Sequence, residues 1–329
     1  MLHRLTINSR SSRELRQLAH DRRILAVSKD NQLKALLLRE ARLLESYAEL
    51  RDWMDRGGGR AGLRSSDAAL RSGRNGDATH VGQVSPTGPS VLARHVAVRL
   101  GLDSSDQQAL LAPAAPRHVL KGDILSEEGN TLSALTILCS GMAKATRMLA
   151  DGSQQIIAIY VAGDMLNAGD LVFGRSSTSI SALTSTISLS IPLPALRSLM
   201  QKLPSITRAL WRETAAQAAI AQEWMIGLGR RTAEARLAHF LCEMVCRLQL
   251  GHPDASDGVD LPLTQQDLSD ILGLSAVHVN RVLQGLRGAG LIEFDRGGLQ
   301  ILDRAGFYAV AEFDEQYLSG LARSDTRSS

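Results

Sequence analysis

Asn280 and Arg281 stand side by side near the start of an amphipathic stretch, and Val277 and His278 precede them by less than one helical turn. Asn can donate to and accept from adenine in one bidentate contact. Arg can donate two hydrogen bonds to guanine, and an aliphatic side chain can meet a thymine methyl. Residue types of this kind, on one exposed helical face, suit the reading of base edges in a major groove.

Two short helices must position them. Thr264 is a good N-cap, followed by Gln265, Gln266 and Asp267, whose polar side chains suit the positive end of a helix. Leu268, Ile271 and Leu272 then recur at i, i+3 and i+4. Gly273 supplies a turn because it tolerates positive φ, and Ser275 caps a second helix whose apolar positions are Val279, Val282, Leu283 and Leu286. With those four facing inward, Ala276, Val277, His278, Asn280, Arg281 and Gln284 are left outward. The spacing predicts a helix-turn-helix. Beyond Gly288 and Gly290, residues 291–295 alternate as a strand, Arg296-Gly297-Gly298 is a turn, and 299–302 form a second strand, making a wing.

This winged helix-turn-helix, from Gln265 to Phe307, resembles the DNA-binding domain of the Crp–Fnr superfamily of bacterial transcription regulators, and LSAVHVNRVLQGLRGAGLI looks like that family's recognition helix and its exit. The resemblance implies that Val277, His278, Asn280 and Arg281 read bases. It implies, together with N-cap geometry, that Thr264, Gln266 and Ser275 hold phosphates. Val277 stands where the family usually has Glu, so the family's best-known target sequences do not carry over. A symmetric dimer would require a near palindrome with half-sites roughly 34 Å apart.

The rest of the chain reads as support and control. At 329 residues it is long enough for two domains with extensions, and 37 Lys and Arg against 34 Asp and Glu leave no polybasic tail. Three cysteines, Cys139, Cys242 and Cys246, form no disulfide framework. Neither a signal peptide nor an apolar run near the ~18 residues of a membrane span is present, so a cytoplasmic protein without membrane contact is expected. P-loop, dinucleotide, G-x-S-x-G and H-E-x-x-H patterns are absent, and no catalytic residue is assigned.

Residues 1–56 are expected to be a helical N-terminal extension. Ser11-Ser12-Arg13-Glu14 matches a capping box, and a second helix from Ser28 to about Met54 carries a wide apolar face. A hairpin packed on itself or on the domain behind it, a small dimerising coil, and a start placed upstream of the true one all account for this stretch. Residues 57–90, rich in Gly, Ser and Arg, read as a flexible linker. Within 91–202, short helical stretches lead into short apolar runs, and Asp151-Gly152 between two of them signals a hairpin. This region resembles the cyclic-nucleotide-binding-type β-roll of Crp–Fnr regulators. In relatives that bind such a nucleotide, Gly-Glu and Arg-Ser pairs hold ribose and phosphate. Here Ser176 falls at the arginine position, Arg175 comes one residue early, and Asp170 is the substitute for the Glu. With no well-placed arginine, cyclic nucleotide is not expected; with no cysteine before Cys139, neither is an iron–sulfur cluster. His95 and His118 exist as haem ligands only in the trivial sense. His239, Cys242 and Cys246 share a helical face but sit among apolar residues, so no metal site is assigned.

Residues 203–229 are expected to be a dimerisation helix, with Leu203, Leu210, Gln217 and Trp224 stepping by seven, and residues 230–329 the DNA-binding domain, entered through Gly227, Gly229 and Arg230-Arg231. The fold class is α+β. The expected function is that of a homodimeric, sequence-specific regulator of transcription that binds double-stranded DNA, with RNA polymerase a further candidate partner and no ligand named for the roll. The alternative is a signalling adaptor or cyclic-nucleotide-regulated interaction protein whose winged domain binds protein.

Overall fold

The structure is a computed structural model that describes residues 11–27, 99–250, 258–295 and 297–321, together with positions 38, 41, 44, 45, 48, 51 and 52. The linker expected over 57–90, His95 and Arg296 lie outside the described residues.

Near the N-terminus, helix α1 spans Ser12–Val27, and Ser11 and Glu14 close the expected capping box: the Ser11 N–H donates to Glu14 Oε2 at 2.7 Å. Arg16 pairs with Asp52 and Arg23 with Glu45 at 2.6 Å. Because the second partner number falls as the first rises, the two segments run antiparallel. Leu15 and Ala19 bury against Ala41, Leu44 and Ala48 in the same apolar cluster as Leu110, Leu135 and Leu210, so α1 and these positions pack on the roll and α4 as well as on each other.

The short helix α2, Ser104–Leu111, capped by Asp103, leads into the roll. Its strands are β1 Ala115–Val119, β2 Ile124–Ser126, β3 Ala134–Ser140, β4 Ala143–Met148, β5 Gln154–Tyr160, β6 Ser179–Ala182 and β7 Thr186–Pro192. They form two antiparallel sheets, ordered β1-β7-β3 and β2-β6-β4-β5. The stretch 179–192 divides between them: β6 pairs with β4 in one sheet and β7 with β3 in the other. Thr184 holds this corner, accepting the Met142 N–H at 2.9 Å. Gly141, at φ 80°, lets the backbone close on it; an added Cβ would lie 2.6 Å from the Ser185 carbonyl oxygen. Asp151-Gly152 forms the β4–β5 turn.

Helix α3, Leu193–Lys202, follows Pro192 and is a feature the apolar pattern did not single out. Helix α4, Pro204–Gly229, is the longest element described, and a three-residue break separates it from α5, Ala233–Gln249, capped by Thr232. The helix-turn-helix is α6, Gln265–Leu272, and α7, Ala276–Gly288. The wing has three strands: β8 Gly258–Asp260, β9 Ile292–Asp295 and β10 Gly298–Ile301, in the order β8-β10-β9. The two-stranded wing expected from sequence thus gains β8, with Val259 opposite Leu299, because two free strands expose an edge that a third can satisfy. Helix α8, Arg304–Ala311, and a 3₁₀ turn, Glu315–Leu321, complete the described chain.

One apolar cluster joins Met142, Ile156, Ile159 and Val161 of the roll to Leu237, Leu241, Leu268 and Ile271 of the C-terminal domain. Among the described residues, no helix is long and apolar enough to cross a membrane.

Candidate nucleic-acid interface

The two reading helices start where the cap chemistry demands. Thr264 accepts the Asp267 N–H at 3.0 Å while Asp267 Oδ2 accepts the Thr264 N–H at 3.0 Å, a reciprocal capping box. Gly273 ends α6 in the left-handed region at φ 60°, and Ser275 accepts the His278 N–H at 3.2 Å to begin α7. Val279, Leu283 and Leu286 are buried. Val277, His278, Arg281 and Gln284 are exposed, and Asn280 is half-buried. Val277 is 71% exposed, and an aliphatic side chain so placed can meet a thymine methyl. Thr264, Gln266 and Ser275 are also exposed, at or next to helix N-termini. Six of the seven sequence-expected residues are thus exposed and Asn280 is half-buried. Thr264 and Ser275 spend hydroxyl capacity on their caps, and Gln266 donates to Asp270 at 2.6 Å.

The roll touches α6. Lys144 of β4 donates to Asp267 Oδ1 at 2.7 Å, Gln154 of β5 to Asp270 Oδ2 at 2.6 Å, and Gln155 to the Ile271 carbonyl at 3.1 Å. Burial pushes the Asp267 carboxyl up, but the hydrogen bonds from Lys144 and Thr264 and the Lys144 charge outweigh it and hold the carboxyl below the usual Asp range. No local pattern marks Lys144, Gln154 or Gln155, since their partners lie more than a hundred residues away.

A buried ion cluster lies deeper. Arg247 of α5 donates to Asp164 at 2.8 Å, to Glu243 at 2.9 Å and to the Ile159 carbonyl at 2.7 Å. Arg99 donates to Glu213 of α4 at 2.7 Å, and its NH2 lies 2.7 Å from Asp164 Oδ1, within ion-pair range though not in hydrogen-bond geometry. Three carboxyls thus face two guanidiniums, and burial raises the pKa of both Glu213 and Glu243.

Within the roll, a recess of about 210 Å³ is lined by Tyr160, Asn167, Asp170, Ser177, Thr214 and Gln217 among others. Of the three effector residues expected from sequence, only Asp170 lines it. Arg175 is exposed and bridges to Thr131, and Ser176 is buried with its hydroxyl 2.6 Å from that of Ser126. No lining side chain is cationic, while burial and the charges of Asp164, Asp170 and Glu213 push the Tyr160 hydroxyl up. A cyclic phosphate would meet a carboxylate and no guanidinium there, so the recess does not fit a cyclic nucleotide.

The residues expected in the dimer seam pack within this chain. Leu210 is buried in its own chain's core, Leu203 packs against that core, Gln217 lines the recess, and Trp224 donates to Glu243 at 2.9 Å with its ring edge-on to Phe240. The outward stripe of α4 is Trp211, Ala215, Ala218, Gln222, Met225 and Gly229, with Trp211 76% and Met225 70% exposed. Trp211, Ala218 and Met225 also step by seven, a second phase equally present in the sequence. Tertiary packing leaves the second phase outward. The histidine and thiols of α5 are engaged too: His239 Nδ1 lies 3.1 Å from the Ala311 carbonyl, Cys246 Sγ 3.5 Å from the Tyr308 hydroxyl, and burial raises both the Cys242 and Cys246 thiols. His118 is buried on β1, its pKa lowered to about 4 by burial.

Comparison with known proteins agrees with this architecture. Residues 235–310 match the Crp-like helix-turn-helix domain and residues 116–203 the cyclic nucleotide-binding domain. The nitrogen fixation regulation protein FixK of Bradyrhizobium diazoefficiens is 30% identical over 219 residues, covering 66% of this chain and 91% of that protein. The transcriptional activator protein FnrA of Stutzerimonas stutzeri is 27% identical over 195 residues, 59% of this chain and 80% of that protein. The solved structure of FixK2 from Bradyrhizobium japonicum superposes with a TM-score of 0.54 at 25% identity, covering 60% of this chain and 96% of FixK2.

Proposed function

The chain belongs to the Crp–Fnr superfamily of DNA-binding transcription regulators, and from that premise we propose that it binds a near-palindromic site as a homodimer, reading bases with Val277, His278, Asn280 and Arg281 and holding phosphates with Thr264, Gln266 and Ser275. The observation that carries this reading is the exposed surface of α7, where an amide, a guanidinium and an aliphatic side chain lie over a buried Val279-Leu283-Leu286 stripe. Dimerisation uses the outward stripe of α4. Its small residues Ala215 and Ala218 permit close helix approach, and Trp211 and Met225 supply apolar area whose burial drives association. Two reading heads related by this axis address half-sites about one DNA turn, roughly 34 Å, apart.

The effector is not a cyclic nucleotide in this reading, because the recess offers Asp170 and no arginine. The chain acts as a binding protein rather than an enzyme, in the compartment that holds the DNA, and RNA polymerase is the partner through which a bound regulator acts on transcription.

A salt titration separates DNA reading from the adaptor alternative. Binding to a selected duplex should weaken linearly on a logarithmic plot, with a slope near −0.9 for each phosphate neutralised. Association that ignores salt, or that requires a protein ligand, contradicts the proposal.

A further inference from the structure

The segment after α8 turns back from the DNA-binding domain and lies along α4. Leu318 and Leu321 bury against Ala216 and Ile220 of α4, with Phe313, Tyr317, Cys246 and Trp224 packed around them, as an apolar cluster distinct from the main cores. Tyr317 donates from its hydroxyl to Glu243 at 3.2 Å, and its ring stacks on His239 with centroids 5.8 Å apart. Through Glu243 the strap meets Arg247, which is bonded to Asp164 of the roll.

The placement matters mechanically. The reading domain hangs from α4 at the break after Gly229, where Arg231 grips Glu223 at 2.8 Å. Trp224 of α4 also holds α5 through Glu243 and Phe240, and the roll holds α6 through Lys144, Gln154 and Gln155. The strap adds a hold further back: Ala216 lies thirteen residues before Gly229, roughly 20 Å along the helix at 1.5 Å per residue. Holds that far apart on one rigid helix define the angle of the domain to it. The strap takes the Ala216-Ile220 side, and the stripe through Ala215 and Ala218 stays outward.

We propose that the C-terminal segment Glu315–Leu321 is a specificity-determining strap: by fixing the reading domain to the dimer helix through Leu318, Leu321 and Tyr317, it sets the spacing between half-sites that the dimer accepts. The inference rests on the dimeric DNA-reading function above. None of these three side chains contacts DNA; they are positioning residues, and their removal alters which spacings are bound rather than which bases.

The test uses the full chain and a duplex library in which two half-sites are fixed and the spacer length is varied. Wild type should retain one spacer. Leu318→Ala/Leu321→Ala should retain neighbouring spacers as well and bind the preferred one about tenfold or more weakly, because the second half-site is no longer presented at high effective concentration. Its affinity for a duplex with a single half-site should stay unchanged. Tyr317→Phe, which removes only the hydroxyl, should broaden the profile to a smaller degree and serves where the double variant does not fold. A strap variant that loses thermal stability yet keeps the single wild-type spacer overturns the inference while leaving the DNA-reading function standing. Wild type that retains no spaced pair overturns the dimeric reading and the strap with it.

Discussion

Arg281 and Gln266 separate two kinds of DNA contact that their positions already suggest. Arg281 projects from the first turns of α7 into solvent, where a bidentate contact with guanine is open to it; Gln266 lies beside the α6 N-terminus, where a phosphate would sit. Arg281→Ala should cost about 1–3 kcal/mol and flatten the preference at one base pair, whereas Gln266→Ala should weaken all sequences alike. Affinities for a panel of single-base variants of the selected site measure both, and an unchanged preference for the Arg281 variant removes its base-reading role. Residues of this kind were legible in sequence, since helical spacing alone sorts Val279, Leu283 and Leu286 inward and leaves their neighbours out. The effector residues were not. Asp170, Arg175 and Ser176 fall in and around a 3₁₀ turn, Gly169–Val172, where no period assigns a face; that Ser176 turns to Ser126 and Arg175 to solvent follows only from the packing of distant strands.

Among elements, the turn between the reading helices and the stripe on α4 carry separate consequences. Gly273 holds φ 60°, and an added Cβ would stand 3.3 Å from Leu228 Cδ2. Gly273→Ala should destabilise the chain by about 1 kcal/mol or more through the left-handed backbone alone, read as a lower urea midpoint at unchanged m. On α4, Ala218→Glu places a charge in the outward seam and should give monomers by sedimentation with little loss of stability. Trp224→Ala should do the reverse, because Trp224 packs on Phe240 and serves Glu243 within its own chain. If the Trp224 variant is the monomeric one, the seam is assigned to the wrong side of the helix. Sequence alone marked this helix through its heptad steps and took the phase of Leu203, Leu210, Gln217 and Trp224. Packing of Leu210 and Trp224 within the same chain, set by residues far away in sequence, leaves the phase of Trp211, Ala218 and Met225 outward. The third wing strand was missed for a related reason: Gly258–Asp260 is too short to show alternation and is held by its pairing with β10.

Across the whole molecule, the roll, α4 and the reading domain meet on the buried cluster of Arg99, Asp164, Glu213, Glu243 and Arg247. Arg247→Ala leaves Asp164 and Glu243 buried beside an empty position and should cost about 3–5 kcal/mol. The cluster also gives stability a pH dependence of definite sign. Burial raises Glu213, so the folded chain keeps a proton that the unfolded chain has released above the ordinary Glu value of about 4.3. Its stability contribution is full below that value and declines as pH rises through the window above it. Glu213→Gln, which mimics the protonated group, should match wild type in acid and overtake it towards neutral pH in thermal melts. The central claim, however, is that α7 of two copies reads one DNA site, and selection of duplexes from a fully randomised pool by the wild-type chain tests it most directly. Enrichment of a near palindrome with half-sites about one helical turn, roughly 34 Å, apart is the predicted result; enrichment of a lone asymmetric half-site, or of no sequence at all, would contradict it.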